Sequence, residues 1–312
     1  MSGMLAGQYF RHMNPVILEK QETLPNNHKA LLRFRSDAVS QLTGIPFKKV
    51  NVTKMINYKE EHHTQGNIFL NNMYSHKVTG SIRGRSLMNL KPGERYIAPS
   101  DFIQQLSYGL NIEFDHDARM DITKQIVNPD EPIISTMPVY LLADMLDYKL
   151  DTELKSLPIW TMTFDITDID CDVYQTVYYP NPKMPLYRLS ITGSKVIAEF
   201  CRDPMADKHW GNRLVILDNI LHFLEIDFGI TEVFGKPTLA VDLELLDFNR
   251  QRYGKLVACS GNQVREFMGF ATHEFNIYSL GRWGTHRQLL MDDVVSDLKI
   301  IGNMIRSNKY RR

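Results

Sequence analysis

The sequence has no excess of either charge, because its 312 residues include 36 lysines and arginines and 36 aspartates and glutamates. Because the net charge is zero, the chain as a whole has no electrostatic attraction for nucleic acids or anionic membranes, so neither is an expected partner. It also lacks an apolar run of the roughly 18 residues that a membrane span needs, and its start lacks the pattern of a signal peptide. These features predict a soluble, cytoplasmic protein.

Cysteine is scarce, and the residues that usually form metal sites are scattered. Cys171, Cys201 and Cys259 are far apart and odd in number, which fits neither a disulfide framework nor a CxxC metal site. His62 and His63 are adjacent and therefore point in different directions on a helix or a strand, so no metal site is predicted there. Spacing also assigns no Ser-His-Asp, Cys-His or paired-carboxylate arrangement, so catalysis by side chains alone is not indicated.

The most informative stretch lies near the carboxyl terminus, between residues 276 and 298. Its sequence predicts a buried strand, a turn bracketed by Gly281 and Gly284, and then an amphipathic helix. A helix that is entered from a strand presents unpaired N–H groups and a positive dipole end, which suit a phosphate or an electron-rich ring. The two glycines allow a ligand to approach the backbone, but they are equally compatible with a purely steric turn.

The amino terminus carries a second pattern of interest. Residues 1–13 predict a helix packed on a sheet, followed at Pro15 by an apolar strand that reaches Glu19. This is the second half of a dinucleotide-binding βαβ unit, in which a carboxylate at the strand tip accepts hydrogen bonds from a ribose. The G-x-G-x-x-G fingerprint should begin on a preceding strand, and Gly3 can be only its last glycine. Three explanations are open: the start is assigned internally, the first strand has been lost, or the helix and strand bind no ligand.

Two further segments carry polar groups that can meet a phosphate. Arg33 and Arg35 alternate on an extended segment before a helix that has Ser36 as a predicted N-cap and Gly44 as its stop. The two arginines can clamp a pyrophosphate or can be a solvated pair. The apolar strand that stops at Pro138 ends in small hydroxyl residues, which places them at the carboxyl edge of a sheet, where open α/β sheets bind ligands.

Closely spaced strands between residues 160 and 200 predict an antiparallel sheet and a second, substrate-side domain. The chain then returns to the first domain, which is therefore built from both ends of the sequence. The predicted fold is α/β, with a Rossmann-like domain of residues 1–56, 95–150 and 255–312 and an inserted, mainly antiparallel α+β part of residues 57–94 and 151–254.

Together these segments resemble the FAD-binding flavoproteins of the glutathione-reductase-like class. Within that class, the resemblance is to the branch that contains UDP-galactopyranose mutase and the flavin amine oxidases. The likeness rests on residues 16–19, 133–138 and 184–188, and above all on Gly281-Arg-Trp-Gly-Thr-His-Arg-Gln-Leu-Leu-Met-Asp292. In the mutases this last segment reads Gly-Arg-Leu-Ala-Thr-Tyr, followed by an aspartate and a methionine that open a helix. Here His286 replaces the tyrosine and Leu290 replaces the aspartate. The chain also resembles short chains of this kind in tailed bacteriophages, which would imply a bacteriophage protein.

The resemblance implies that FAD is the cofactor and that the Rossmann-like part binds it. Glu19 would bind the adenosine ribose, Arg188 would face the substrate pocket, and His286 would donate to a flavin carbonyl or to substrate, or else cap a helix. The remaining residues expected along the flavin or its phosphates are Gly3, Arg33, Gly281, Arg282, Gly284 and Met291.

The function implied by the resemblance is that of an FAD-dependent oxidoreductase acting on a small amine or a similar group. In such a protein the flavin carries the hydride or electron-pair chemistry, while the chain supplies binding and orientation. One alternative is an isomerase similar to UDP-galactopyranose mutase, which uses flavin without net redox change. The other is a non-catalytic binding or regulatory protein that has lost the first strand. A small-molecule substrate is the partner expected for the first two.

Overall fold

The computed structural model describes residues 1–24, 33–82, 85–166, 174–229, 232–233, 236–237, 243–257 and 262–309. The chain forms two compact units. Unit 1 contains Met1–Lys49, Arg95–Leu154 and Cys259–Arg312, and unit 2 contains Val50–Glu94 and Lys155–Ala258. Both ends of the sequence therefore belong to unit 1.

The described helices are α1 (Ser2–Tyr9), α2 (Ala38–Thr43), α3 (Ile68–Thr79), α4 (Phe102–Ser107), α5 (Arg119–Val127), α6 (Val139–Met145), α7 (Arg213–Phe228), α8 (Gln263–Phe275), α9 (Gly281–Gly284) and α10 (Met291–Lys309), with a 3-10 helix at Arg11–Met13. The described strands are β1 (Val16–Leu18), β2 (Arg33–Phe34), β3 (Lys48–Tyr58), β4 (Glu61–His63), β5 (Gly93–Ile97), β6 (Asn111–Glu113), β7 (Ile133–Ser135), β8 (Ser156–Ile166), β9 (Tyr174–Tyr178), β10 (Leu186–Thr192), β11 (Lys195–Phe200), β12 (Glu232–Val233), β13 (Lys236–Pro237), β14 (Leu243–Leu256) and β15 (Ile277–Ser279). No helix in these ranges is both long and apolar enough to cross a membrane.

Unit 1 contains two pairs of parallel strands with helices on both faces. Strand β1 pairs with β6, and β7 pairs with β15. Ile134 and Tyr278 face a core that includes residues of α1, α4 and α10. Ile133 and Ile277, one position earlier in each strand, face a second core built with α5, α6 and α8. Because both faces of β7 and β15 are covered, these two strands read as apolar runs rather than as alternating patterns.

Small residues allow α1 to lie close to its neighbours. A β-carbon on Gly7 would lie 2.7 Å from Ile17 Cδ1, so a larger residue would push α1 away from β1. On the partner helix α10, a β-carbon on Gly302 would lie 3.0 Å from the Tyr9 hydroxyl. The run of small and apolar residues near the amino terminus therefore reflects close packing, which holds α1 against both a strand and a helix.

Unit 2 is organised around a mainly antiparallel sheet with the order β14-β8-β11-β10-β9-β3. Its neighbouring strands are antiparallel except β9 and β3, which run parallel. Strand β4 forms a hairpin with β3. Helix α7 covers one face through Ile216, Ile220 and Leu224, which are buried in the same core as the sheet residues.

Two helix boundaries are set by particular residues. Helix α7 begins at Arg213, because Asn212 Oδ1 accepts a hydrogen bond from Val215 N at 2.9 Å and so caps the helix there. The N-cap of α2 is Asp37 rather than Ser36. Its predicted stop at Gly44 is confirmed, since this residue has a left-handed conformation with φ 72°.

Candidate functional site

In unit 1 the start of α1, the end of β7 and the segment after β15 converge at one edge. A β-carbon on Gly281 would lie 2.6 Å from Ser2 Oγ, and one on Gly3 would lie 3.9 Å from Thr136 Oγ1. Both strands end at this edge, so it is the carboxyl edge of the parallel pair, the position at which open α/β sheets bind ligands. The structure thus brings together Gly3 and Gly281, two of the residues predicted to meet a dinucleotide.

Glu19 follows β1 directly and is half-buried. Its backbone continues the pairing with β6, because Glu19 N donates to Glu113 O at 2.9 Å. Its carboxylate accepts one hydrogen bond, from Gln21 N at 3.0 Å. Burial lowers the pKa of the Met1 α-amino group, and the negative charge of Glu19 acts in the opposite direction. Ile17, two residues before Glu19, packs at the start of α1, since its Cγ2 atom is 4.0 Å from the position of a β-carbon on Gly3. The Glu19 carboxylate retains acceptor capacity for a hydroxyl donor.

The segment after β15 forms a short helix where the sequence predicts a turn. Gly281 has φ 80°, a conformation that L-residues rarely adopt, and it begins α9. A β-carbon on Gly284 would lie 3.0 Å from Ser135 O, so α9 also packs closely on the end of β7. The hydroxyl of Thr285 closes this turn by donating to Gly281 O at 2.8 Å.

Three other predicted residues lie in α9, in the turn after it and at the start of α10. Arg282 donates through Nη2 to Leu289 O at 3.2 Å and thereby braces this loop. His286 has φ 45° and lies in the turn before α10, so it does not cap a helix N-terminus. Met291, the first residue of α10, is partly buried against the unit 1 core.

The chain itself supplies the acceptors at the start of α10. Asp293 accepts a hydrogen bond from Leu290 N at 2.7 Å. Asp292 is largely buried and accepts from Arg35 N and Ser36 N, both at 3.0 Å, and from Ser36 Oγ at 2.7 Å. Two carboxylates in the first turn compensate the helix dipole and repel a further anion. The α10 terminus, which the sequence suggests as a phosphate site, is therefore less suited to an anion than the edge at Gly3 and Gly281.

Two hydroxyl groups near this edge have no hydrogen-bond partner among the described residues. Ser135 and Ser279 are opposite each other in the β7–β15 register, and the Oγ atoms of both are buried. A buried hydroxyl without a partner is costly, so each requires a water or a ligand group. Sequence analysis anticipated small hydroxyls after Ile134 but missed Ser279, because a serine at the end of an apolar strand has no distinctive signal.

A second cluster lies in unit 2 around Arg188. The Arg188 Nε donates to Glu199, which also accepts from the Tyr187 hydroxyl at 2.8 Å and lies 3.8 Å from Lys255 Nζ. Burial alone would raise the pKa of Glu199, but the charges of Arg188 and Lys255 hold it at about 2. The ring of Tyr74 is 6.2 Å from that of Tyr187. The carboxylate of Glu199 thus lies between two cations, Arg188 and Lys255, at a mostly buried position.

The Arg188 side chain is 25% exposed, and its two terminal nitrogens make no hydrogen bond with the described residues. A guanidinium presents these nitrogens as a planar fork that matches carboxylates and phosphates. Glu199 fixes the Nε end of the same group. Arg188 can therefore bind an anionic group through its terminal nitrogens while Glu199 keeps the guanidinium in place.

The other candidates contribute less. The side chain of Arg33 lies outside the described residues, although its backbone is in β2. In the described part of the chain, no three histidine, cysteine, aspartate or glutamate side chains converge as metal ligands would. A surface depression of about 400 Å³ follows α6 and residues 148–154, and it shares no residue with either cluster. It is largely open to solvent, so we base no function on it.

Comparison with solved structures identifies similar folds. Reduced UDP-galactopyranose mutase is similar with a TM-score of 0.53 and 11% identity, over 97% of this chain and 92% of that one. An oxidoreductase from Methanosarcina mazei gives 0.54 and 9%, over 97% and 98%. A Pyrococcus furiosus protein gives 0.53 and 9%, over 96% and 93%. No protein-family model and no curated protein matches the sequence. The chain therefore shares the mixed α/β fold of these proteins along nearly their whole length.

Proposed function

We propose that the protein is an FAD-dependent oxidoreductase, with the dinucleotide bound by unit 1. The observation that carries the proposal is the convergence of Gly3 and Gly281 at the carboxyl edge of parallel strands, with Glu19 directly after β1, although these residues come from opposite ends of the sequence. The similarity of the whole fold to a mutase and an oxidoreductase supports the same assignment.

The described residues fit a dinucleotide in their chemistry. Glu19 would accept hydrogen bonds from the adenosine ribose, and the backbone at Gly3 and Gly281 would lie along the pyrophosphate. The buried hydroxyls of Ser135 and Ser279 have hydrogen-bonding capacity that a bound polar group can satisfy. When bound, the flavin supplies hydride or electron-pair transfer, and the residues of this chain orient it and exclude water.

The charge of the Arg188 cluster bears on the substrate. A protonated amine would be repelled by the Arg188 guanidinium, whereas a carboxylate or phosphate would be attracted to it. The amine specificity implied by sequence resemblance therefore has no support from this cluster. A second candidate function, a flavin-dependent isomerase acting on a nucleotide sugar, is favoured by it, because such a substrate carries a diphosphate.

The first experiment is the visible absorption spectrum of the purified protein after incubation with FAD, with the released cofactor identified by mass. Bound FAD with flavin absorbance is expected.

Replacement of Glu19 by glutamine removes a charged acceptor of a ribose hydrogen bond, worth about 1.5–3 kcal/mol, so FAD affinity should fall about tenfold or more. Affinity for FMN, which lacks the adenosine, should not change. Glu22→Gln, at an exposed position three residues further on, is the matched control.

The outcome separates the candidate functions. Reduction of the flavin by a substrate in single turnover supports the oxidoreductase. Conversion of a nucleotide sugar by the reduced protein, without net loss of reducing equivalents, supports the isomerase instead. Absence of any flavin binding would contradict both and leave the non-catalytic binding protein.

A further inference from the structure

Helix α3 and residues 85–90 pack on one face of the unit 2 sheet. The opposite face carries α7, because Val177 packs with residues of α7 whereas the next residue, Tyr178, packs with residues of α3. Tyr187, whose hydroxyl donates to Glu199, is also buried on the α3 face. The Arg188 cluster therefore lies on this face, beside the core that α3 and residues 85–90 form with the sheet.

A pair of tyrosine rings connects Arg188 with α3. Arg188 is directly opposite Tyr178 in the register of β10 and β9. The ring of Tyr178 packs edge-on against that of Tyr74 in α3, with the ring centroids 5.4 Å apart. Burial raises the pKa of the Tyr74 hydroxyl, while the positive charges of Arg188 and Arg85 act in the opposite direction. Because the interaction of two charges falls with their separation, both guanidinium groups lie close to this hydroxyl.

Arg85 lies alongside α3 and has a buried donor without a partner. Its backbone N donates to the hydroxyl of Ser75, the residue after Tyr74, at 2.9 Å. Leu87 N donates to Asn71 Oδ1 at 2.8 Å, so this segment is attached to α3 at two points. The Nε atom of Arg85 is buried and has no hydrogen-bond partner among the described residues. Since a buried donor of a charged group is costly when it is unpaired, this nitrogen requires an acceptor from a water or a ligand.

The number of free donors indicates which anionic group fits. Arg188 offers its two terminal nitrogens, because its Nε already donates to Glu199, and Arg85 offers at least its Nε. A carboxylate has two oxygens in one plane and carries one negative charge. A phosphate monoester has three terminal oxygens and carries close to two negative charges at pH 7. A phosphoryl group therefore provides one oxygen for each of the three nitrogens, and guanidinium groups bind such oxygens well.

We propose that Arg85 and Arg188 together bind a phosphoryl group of the substrate, beside the rings of Tyr74 and Tyr178. Arg188 binds it through the nitrogens that Glu199 leaves free, and Arg85 supplies the second cation from the side of α3. Arg85 is then a specificity-determining residue, because Arg188 alone accepts a carboxylate as well as a phosphate. As a statement about the substrate the inference rests on the proposed function, but binding of the phosphoryl group does not require flavin.

The test is isothermal titration calorimetry of the full chain, in the presence of FAD, with phenyl phosphate and with benzoate, which share a ring and differ in the anionic group. Phenyl phosphate should bind about tenfold more tightly or better. Arg85→Gln should weaken its binding about tenfold or more. Arg85→Lys keeps the charge but lacks the planar fork, so it should recover only part of the loss. Arg213→Gln, at an exposed position of α7 on the other face of the sheet, is the matched control and should leave the affinity unchanged. Inorganic diphosphate is a third probe: tighter binding than phenyl phosphate assigns the site to a diphosphate, and weaker binding assigns it to a monoester.

Equal affinities for benzoate and phenyl phosphate would overturn the assignment to a phosphoryl group. Unchanged binding of phenyl phosphate by both Arg85 variants would overturn the role of Arg85. The affinity for FAD, measured by flavin absorbance, should be the same in Arg85→Gln and wild type, and a parallel loss would assign Arg85 to the cofactor instead. If the protein bound no FAD, the proposed function would fail, whereas binding of phenyl phosphate that depends on Arg85 would still support this site.

Discussion

Gly281 and Ser2 are separated by nearly the whole sequence, yet a β-carbon on Gly281 would lie 2.6 Å from Ser2 Oγ. This contact joins the start of α1 to the segment after β15. The left-handed conformation of Gly281, with φ 80°, is what turns the chain into α9 at this point. The two ends of the sequence thus form one edge of unit 1.

Gly281→Ala should destabilise the protein by about 1–3 kcal/mol, because alanine is strained at positive φ and its β-carbon would displace Ser2. Urea denaturation measures the change. Gly269→Ala is the matched control, since Gly269 lies in α8 with open space around its β-carbon position, and there alanine should be neutral or stabilising. Equal effects at the two positions would contradict the steric argument.

The destabilisation by Gly281→Ala has a steric part and a conformational part, and a second substitution separates them. Ser2→Gly removes the side chain that the new β-carbon would meet, while the strain at φ 80° remains. The double variant should therefore recover part of the loss caused by Gly281→Ala. Full additivity of the two changes would show that Ser2 and residue 281 do not interact.

Glu199→Gln tests the buried ion cluster of unit 2. The folded-state pKa of Glu199, about 2, lies below its ordinary value of 4.5, so its stabilising contribution is complete above pH 4.5 and disappears as the pH falls toward 2. Loss of the carboxylate removes the counter-charge to which Arg188 Nε donates, which should cost about 3 kcal/mol at pH 7.

The difference in unfolding free energy between wild type and Glu199→Gln should therefore shrink between pH 4.5 and pH 2, as measured by urea denaturation at several pH values. Glu244→Gln, at an exposed position of β14 in the same sheet, provides the control and should show little difference. A difference that stays constant with pH would mean that Glu199 is not held in its charged form by its neighbours.

The pairing of Arg188 with Glu199 can be predicted from the sequence. Residues 193 and 194, Gly-Ser, form a two-residue turn between β10 and β11, and such a turn fixes the register of a hairpin. Counting back from Thr192 and Lys195 places Arg188 opposite Glu199. The family resemblance predicts Arg188 alone, whereas its partner Glu199 follows from the register of this hairpin.

Other features of unit 1 depend on contacts that local patterns do not encode. The α/β class and the strand before Gly281 are confirmed, since both follow from continuous apolar runs bounded by turns. In contrast, Asp292 meets Ser36 across 256 positions of the sequence. The sequence therefore predicts a helix N-terminus that is free to bind a ligand. In the structure the carboxylate of Asp292, in the first turn of this helix, accepts hydrogen bonds from backbone N–H groups that are distant in the sequence. The roles of the predicted site residues stay predictions.

Asp227→Asn should be strongly destabilising, because Asp227 is a buried acceptor for three donors. Its carboxylate accepts from Asn57 Nδ2, bonds to His62 Nε2 and accepts from the Tyr179 hydroxyl, each at 2.6 Å. An amide has one acceptor oxygen, so donors lose partners at a cost of about 2–4 kcal/mol. Asp218→Asn, exposed on the same helix α7, is the control in urea denaturation. Similar losses for the two variants would contradict this account.

Lys77→Met tests a buried amine whose charge is disfavoured. Lys77 Nζ donates to Tyr179 O at 2.7 Å and to Leu186 O at 2.6 Å, and burial lowers the pKa of Lys77 to about 7. Between pH 7 and its ordinary value of 10.5, the unfolded chain holds the proton more tightly than the folded chain does. The wild-type unfolding free energy should therefore rise with pH across this range, by up to about 1.4 kcal/mol per pH unit.

Methionine does not titrate, so subtraction of the Lys77→Met values from those of wild type isolates the contribution of Lys77. The difference should increase from pH 7 to pH 10 and level off below pH 7, where lysine is charged in both states. Lys195→Met, at an exposed position of β11, should give a difference that is nearly independent of pH. If Lys77→Met gave an equally flat difference, the amine would have to remain charged in the folded protein. The two backbone carbonyls would then be compensating the burial of a full positive charge.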